Sequence, residues 1–93
     1  MNIIVKTALK NDGLAIMYVR EPSNEMALIA VKENGQALHS IKNKNYELCF
    51  EAVKNNGLSL MYVPTEFKTK ELCLQAVSQN GLALQFVPVE LTD

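Results

Sequence analysis

Apolar positions along this chain recur in four groups, and each group runs into an Asn-Gly or Asp-Gly pair. Counted back from Gly13, Gly35, Gly57 and Gly81, positions minus nine, minus eight, minus five and minus four are apolar in every copy. They are Ile4, Val5, Ala8 and Leu9; Met26, Ala27, Ala30 and Val31; Leu48, Cys49, Ala52 and Val53; Leu72, Cys73, Ala76 and Val77. Spacings of one, four and five residues put these side chains on one stripe of an α-helix. Alanine holds position minus five throughout, which predicts close approach by a neighbouring helix. Ser23, Asn45 and Thr69, twelve residues before their glycines, are good N-cap types. Glu25, Glu47 and Glu71 follow in the first turn, and Lys10, Lys32 and Lys54 stand in the last, each on the favourable side of the helix dipole. These signals predict helices near 24–34, 46–56 and 70–80, preceded by a first helix without a clear cap. Each glycine reads as the residue after the helix end, in the left-handed conformation that stops a helix.

A second apolar segment follows each glycine: Leu14 to Val19, Gln36 to Ile41, Leu58 to Val63 and Leu82 to Val87. Its periodicity alone does not separate strand from helix. A strand here would give a leucine-rich horseshoe, but the framework of that repeat is absent. Copy two, Gln-Ala-Leu-His-Ser-Ile, is also poor in strand-forming residues. The segment is therefore read as a short second helix of one to two turns, closed by Pro64 and Pro88 in the later copies. Pro22 serves the first linker, and Phe67 and Leu91 are expected to anchor the longer linkers of copies three and four. Glycine spacings of 22, 22 and 24 residues make this a stacked repeat protein. The predicted fold class is all-α: four α-α hairpin repeats, about 1–22, 23–44, 45–68 and 69–93, in one small solenoid domain whose units share a continuous core.

Two stretches, Glu47 to Phe67 and Glu71 to Leu91, carry the pattern A-V-x-x-N-G-x-A-L-x-Y most closely. On these residues the chain resembles the domain-of-unknown-function family 4116. The resemblance spans nearly the whole chain and is strongest over Glu47 to Leu91. Arg20-Glu21-Pro22 and Lys42-Asn43-Lys44 replace the V-P-x-E linker in the first two copies. Gln36 and Ser40 also depart from the pattern, so the second repeat is expected to pack less well. The resemblance implies tandem helical repeats, no established activity, and no catalytic or cofactor residues to carry over.

Composition narrows the function classes. A 48% apolar, 20% charged chain of 93 residues is a folded composition. The formal net charge is −1 with scattered basic residues, so direct nucleic-acid binding is not expected. No apolar run approaches the roughly 20 residues that span a bilayer. No leader segment is evident at the start, and a cytoplasmic protein is expected, in the host cytoplasm if it is viral or a secreted effector. Cys49 and Cys73 share one repeat slot with Val5 and Ala27, which reads as a small buried site. The slot repeats on adjacent helices, too far apart for a disulfide. One histidine and two cysteines make no metal ligand set, and no cofactor is expected. The glycines stand singly and form no phosphate-binding loop. His39 has no evident nucleophile, and an enzyme is not expected.

Binding surfaces remain. Equivalent positions of stacked repeats align into ladders. One ladder is Met17, His39, Met61 and Gln85; another is Lys10, Lys32, Lys54 and Ser78. The methionines read either as fillers of core gaps or as an adaptable patch for a partner protein. The lysines read as solvated charge complementing helix dipoles, or as contacts for an acidic partner or a phosphate backbone. Asp93 falls in the N-cap slot of a next unit, so an end of the stack is expected to be bare and to invite a homodimer or another partner, unless the chain is cut from a longer array. The leading expectation is a non-catalytic protein-interaction module whose partner-binding residues are Met17, His39, Met61 and Gln85. The rival is a small viral or mobile-element inhibitor that occludes an enzyme or a nucleic-acid-processing complex.

Overall fold

The computed structural model of the chain describes residues 2–92; Asp93, read above as an N-cap slot, lies outside the described residues. Four α-helices form one layer: α1 (Ile3–Asn11), α2 (Asn24–Glu33), α3 (Tyr46–Asn55) and α4 (Lys70–Gln79). Each is followed by a six-residue 3₁₀ helix: η1 (Gly13–Tyr18), η2 (Gly35–Ser40), η3 (Gly57–Tyr62) and η5 (Gly81–Phe86). The longer linkers add single turns, η4 (Thr65–Phe67) and η6 (Val89–Leu91). Successive α-helices pack side by side, successive 3₁₀ helices do the same, and the stack measures 46 × 21 × 16 Å. The fold is all-α and repetitive, as the spacing predicts. No described helix is long and apolar enough to cross a membrane.

The α-helices start where their caps predict. Ser23, Asn45 and Thr69 side chains accept from the Met26, Leu48 and Leu72 N–H groups, at 3.1, 2.9 and 3.2 Å. The first helix is also capped, contrary to the sequence reading: Asn2 Oδ1 accepts from Ile4 at 2.9 Å. Each helix ends one residue earlier than predicted, because Asn34, Asn56 and Asn80 turn extended and begin the next element.

The glycines are not left-handed. Among the described residues no glycine has a positive φ. The reversal is made by the preceding Asp12, Asn34, Asn56 and Asn80, which are extended at φ between −145° and −151°. Each plays two parts. Its N–H closes the α-helix on the alanine at minus five, and its side chain accepts from the residue after the glycine, capping the 3₁₀ helix. Glycine is required at the internal turns by contact. A Cβ on Gly13, Gly35 or Gly57 would collide with the carbonyl oxygen of Ala30, Ala52 or Ala76 in the next repeat. The small alanine and the glycine are thus two sides of one close approach.

The second segment is helical, and its 3₁₀ form explains its ambiguous pattern. With three residues per turn, side chains three apart eclipse. Gly35, Leu38 and Ile41 form one buried row, and Gly57, Leu60 and Val63 form the same row one repeat on. Short runs of such a row read neither as period 3.6 nor as period 2. Val19, Ile41, Val63 and Val87 end these helices, and Pro64 and Pro88 follow in copies three and four.

Leu9, Ile16, Leu38, Leu48, Leu60 and Leu72 are the largest fully buried side chains. The second repeat is as well packed as its neighbours, against expectation: Gln36 and Ser40 point to solvent, while Ala37 and Leu38 are fully buried. Phe67 packs against the core as expected, but Leu91 stays exposed in the fourth repeat. Ser59 is a local flaw, because its buried Oγ has no hydrogen-bond partner where the other copies carry alanine. Leaving it so costs about 1 kcal/mol.

Candidate protein-binding ridge

The row of each 3₁₀ helix that faces outward begins one residue after the glycine. It pairs Leu14 with Met17, Gln36 with His39, Leu58 with Met61, and Leu82 with Gln85, all exposed except Leu58, which is partly buried against the core. Three-residue periodicity eclipses each pair, and contact between successive 3₁₀ helices lines the pairs up along the stack. Met17 and Met61 are 61% and 52% exposed, so they are not fillers of core gaps. His39 and Gln85 are exposed beside them. All four residues of the predicted ladder therefore lie on one ridge.

Sequence reasoning missed part of this ridge. Tyr18, next to Met17 and on the adjoining row, is 84% exposed. Tyr62 leans across the repeat boundary, its ring 4.8 Å from that of His39. The signal was available, since position plus five is Tyr18, Ser40, Tyr62 and Phe86, aromatic in three copies of four. Methionine and tyrosine on one surface are the residue types enriched in protein interfaces. The lysine ladder behaves as solvated charge: Lys10, Lys32 and Lys54 are exposed in their last turns, and Lys54 lies 3.7 Å from Glu51.

A second concavity lies where the shorter linkers one and two run. The third linker, two residues longer, forms η4 and brings Phe67 against the core; linkers one and two have no such turn. An open groove of about 1110 Å³ lies there, floored by Ile16 and Ile41 and edged by Arg20, Glu21, Lys42 and Asn45. Its lining holds neither histidine nor cysteine.

The cysteines occupy the buried slot that the repeat predicts. Both are free, with Cys49 fully buried and Cys73 nearly so. Burial pushes the Cys49 thiol up to about 11, against the smaller opposing pull of Lys44. Cys73 is raised in the same way, with Lys68 opposing. Exposed His39 therefore has no accessible thiolate to activate. Because the folded state holds the Cys49 proton more tightly than the unfolded chain, the stabilisation is complete below pH 9 and is lost as pH rises towards about 11. Wild type should lose about 2–3 kcal/mol relative to Cys49→Ala across that window in urea melts. Equal pH slopes for the two proteins would refute the assignment. Among the described residues no group of His, Cys, Asp and Glu side chains could hold a metal ion.

No curated protein and no solved structure matches the chain. A family model matches residues 45–92, covering the third and fourth repeats and just over half of the chain; it carries the description Domain of unknown function. The strongest copies of the repeat are those that match, and the chain belongs to the DUF4116 family.

Proposed function

We propose that the protein is a non-catalytic interaction module that binds a partner protein along the ridge of Met17, His39, Met61 and Gln85. The observation that carries this reading is the exposure of Met17 and Met61 on one row of the stack, with Tyr18 exposed on the row beside it. Large apolar side chains held in water without a structural task are the ordinary mark of a docking surface. Methionine lets such a surface adapt to its partner, and tyrosine adds contact area at low entropic cost. The histidine and glutamine between them supply hydrogen-bonding groups that set register. Both thiols are buried, so the ridge presents no cysteine.

Met61→Glu tests the reading. The side chain is mostly in solvent, so the fold should be unchanged, with stability within about 0.5 kcal/mol of wild type. A charge placed in the centre of an apolar contact should weaken partner binding by about tenfold or more. The check is affinity capture with quantitative mass spectrometry on wild type and variant side by side. Proteins retained by wild type and lost from Met61→Glu are the expected result; an identical set at equal yield removes the ridge from consideration.

A further inference from the structure

We propose that copies of this chain associate head to tail, the η5 face of one copy seating on the α1 face of the next. This contact is independent of the ridge and repeats the one that already joins the units inside the chain. At each internal junction the glycine and the leucine or isoleucine three residues later are buried against the next α-helix: Gly13 with Ile16, Gly35 with Leu38, Gly57 with Leu60. In the fourth repeat the same two positions are open. Gly81 is exposed, with nothing within 4 Å of a Cβ placed on it among the described residues, and Leu84 is 58% exposed.

The opposite end carries the complementary half. Ile4 and Ala8 are exposed on α1, although their counterparts Leu48 and Leu72, and Ala30, Ala52 and Ala76, are buried. The Ala8 carbonyl is presented as its counterparts are, accepting from the Asp12 N–H at 2.9 Å. Backbone angles at the turn hardly differ between the covered and uncovered ends: −151° and 109° at Asp12, −150° and 108° at Asn34, −151° and 112° at Asn80. Both faces are therefore preformed, which removes much of the ordering cost of association.

Asn11 gives the contact its register. Two residues before their glycines, Asn55 and Gln79 reach back to the previous repeat. Gly35 N–H donates to Asn55 Oδ1 at 2.7 Å, and Asn55 Nδ2 donates to the Lys32 carbonyl at 2.9 Å. Gly57 N–H donates to Gln79 Oε1. Asn11 stands at the same position of α1, exposed and with the same amide chemistry. On a second copy it would accept from Gly81 N–H and donate to the Ser78 carbonyl, the counterpart of Lys32. The apolar groove of about 270 Å³ edged by Leu74, Val77, Leu84 and Val87 lies open beside it for Ile4. The two surfaces differ, so the contact is heterologous and open-ended, not a closed two-fold dimer.

Sedimentation equilibrium on the full chain tests this. Wild type should show a weight-average mass that rises above 10.4 kDa with concentration. Gly81→Ala should keep its circular dichroism and melting temperature while association weakens by about tenfold or more, because the added methyl collides only in the contact. Ile4→Glu and Leu84→Glu, each blocking one face, should be monomeric alone. Mixed, they should form a species of twice the chain mass through the two intact faces. A wild type that stays monomeric at every attainable concentration overturns the proposal. So does a blocked variant that still dimerises by itself, which would indicate pairing of like ends, or a mixture that fails to pair.

Discussion

Gly57→Ala is expected to destabilise the protein by about 3 kcal/mol or more, whereas Gly81→Ala leaves it unchanged or slightly more stable. Both glycines precede a leucine, follow an asparagine and open a 3₁₀ helix with negative φ, so local conformation does not separate them. Surroundings do. A Cβ on Gly57 would strike the Ala76 carbonyl oxygen and press on Gln79 Oε1, and the helices must part to admit it. Parting them breaks the Gly57 to Gln79 hydrogen bond and loosens the η3–α4 contact. Gly81 faces open space, so its methyl group meets nothing and only reduces the freedom of the unfolded chain. In a domain of this size the Gly57 effect corresponds to a fall in Tm of about 12 °C or more. Equal Tm values for the two variants would falsify the close-approach account of the internal glycines.

A similar contrast is expected between Leu60→Ala and Leu84→Ala. The two leucines hold the same repeat position, plus three. Leu60 is fully buried between repeats, and removing its side chain leaves a cavity that close-packed neighbours fill only in part. The cost is about 2–5 kcal/mol. Leu84 is more than half exposed, so its truncation should cost under about 1 kcal/mol in dilute solution. Denaturant melts at low concentration measure both. A large loss at Leu84 under those conditions would mean that its side chain is covered within the single chain.

Much of this architecture was legible along the chain. Ser23, Asn45 and Thr69 cap their helices because a hydroxyl or amide oxygen at that place satisfies an N–H the helix leaves free. The stripes at minus nine, minus eight, minus five and minus four are buried in copies three and four apart from a partly covered Val77. The predicted ladder is exposed as a set. Other features could not be read. Asn55 and Gln79 look like variable surface residues, since a partner 20 or 22 positions away leaves no local trace. Asn2 escaped notice because it stands eleven, not twelve, residues before its glycine.

The chain alone settles how many units this stretch holds, where the three later helices begin and which stripe of each helix packs inward between neighbours, because capping and periodicity are local and repeat in register. It also marks the Asn-Gly pairs as the places where each unit reverses. Why those pairs hold glycine is a matter of packing. Local rules assign glycine to a left-handed turn, yet here a neighbouring carbonyl occupies the space a side chain would need. The three-residue row of the second helix likewise follows from packing, against its own α-helix and the adjacent 3₁₀ helix. Gly57 and Gly81 share the Asn-Gly-Leu around them, and among the described residues only Gly57 has a further helix packed against it, which makes one indispensable and leaves the other free.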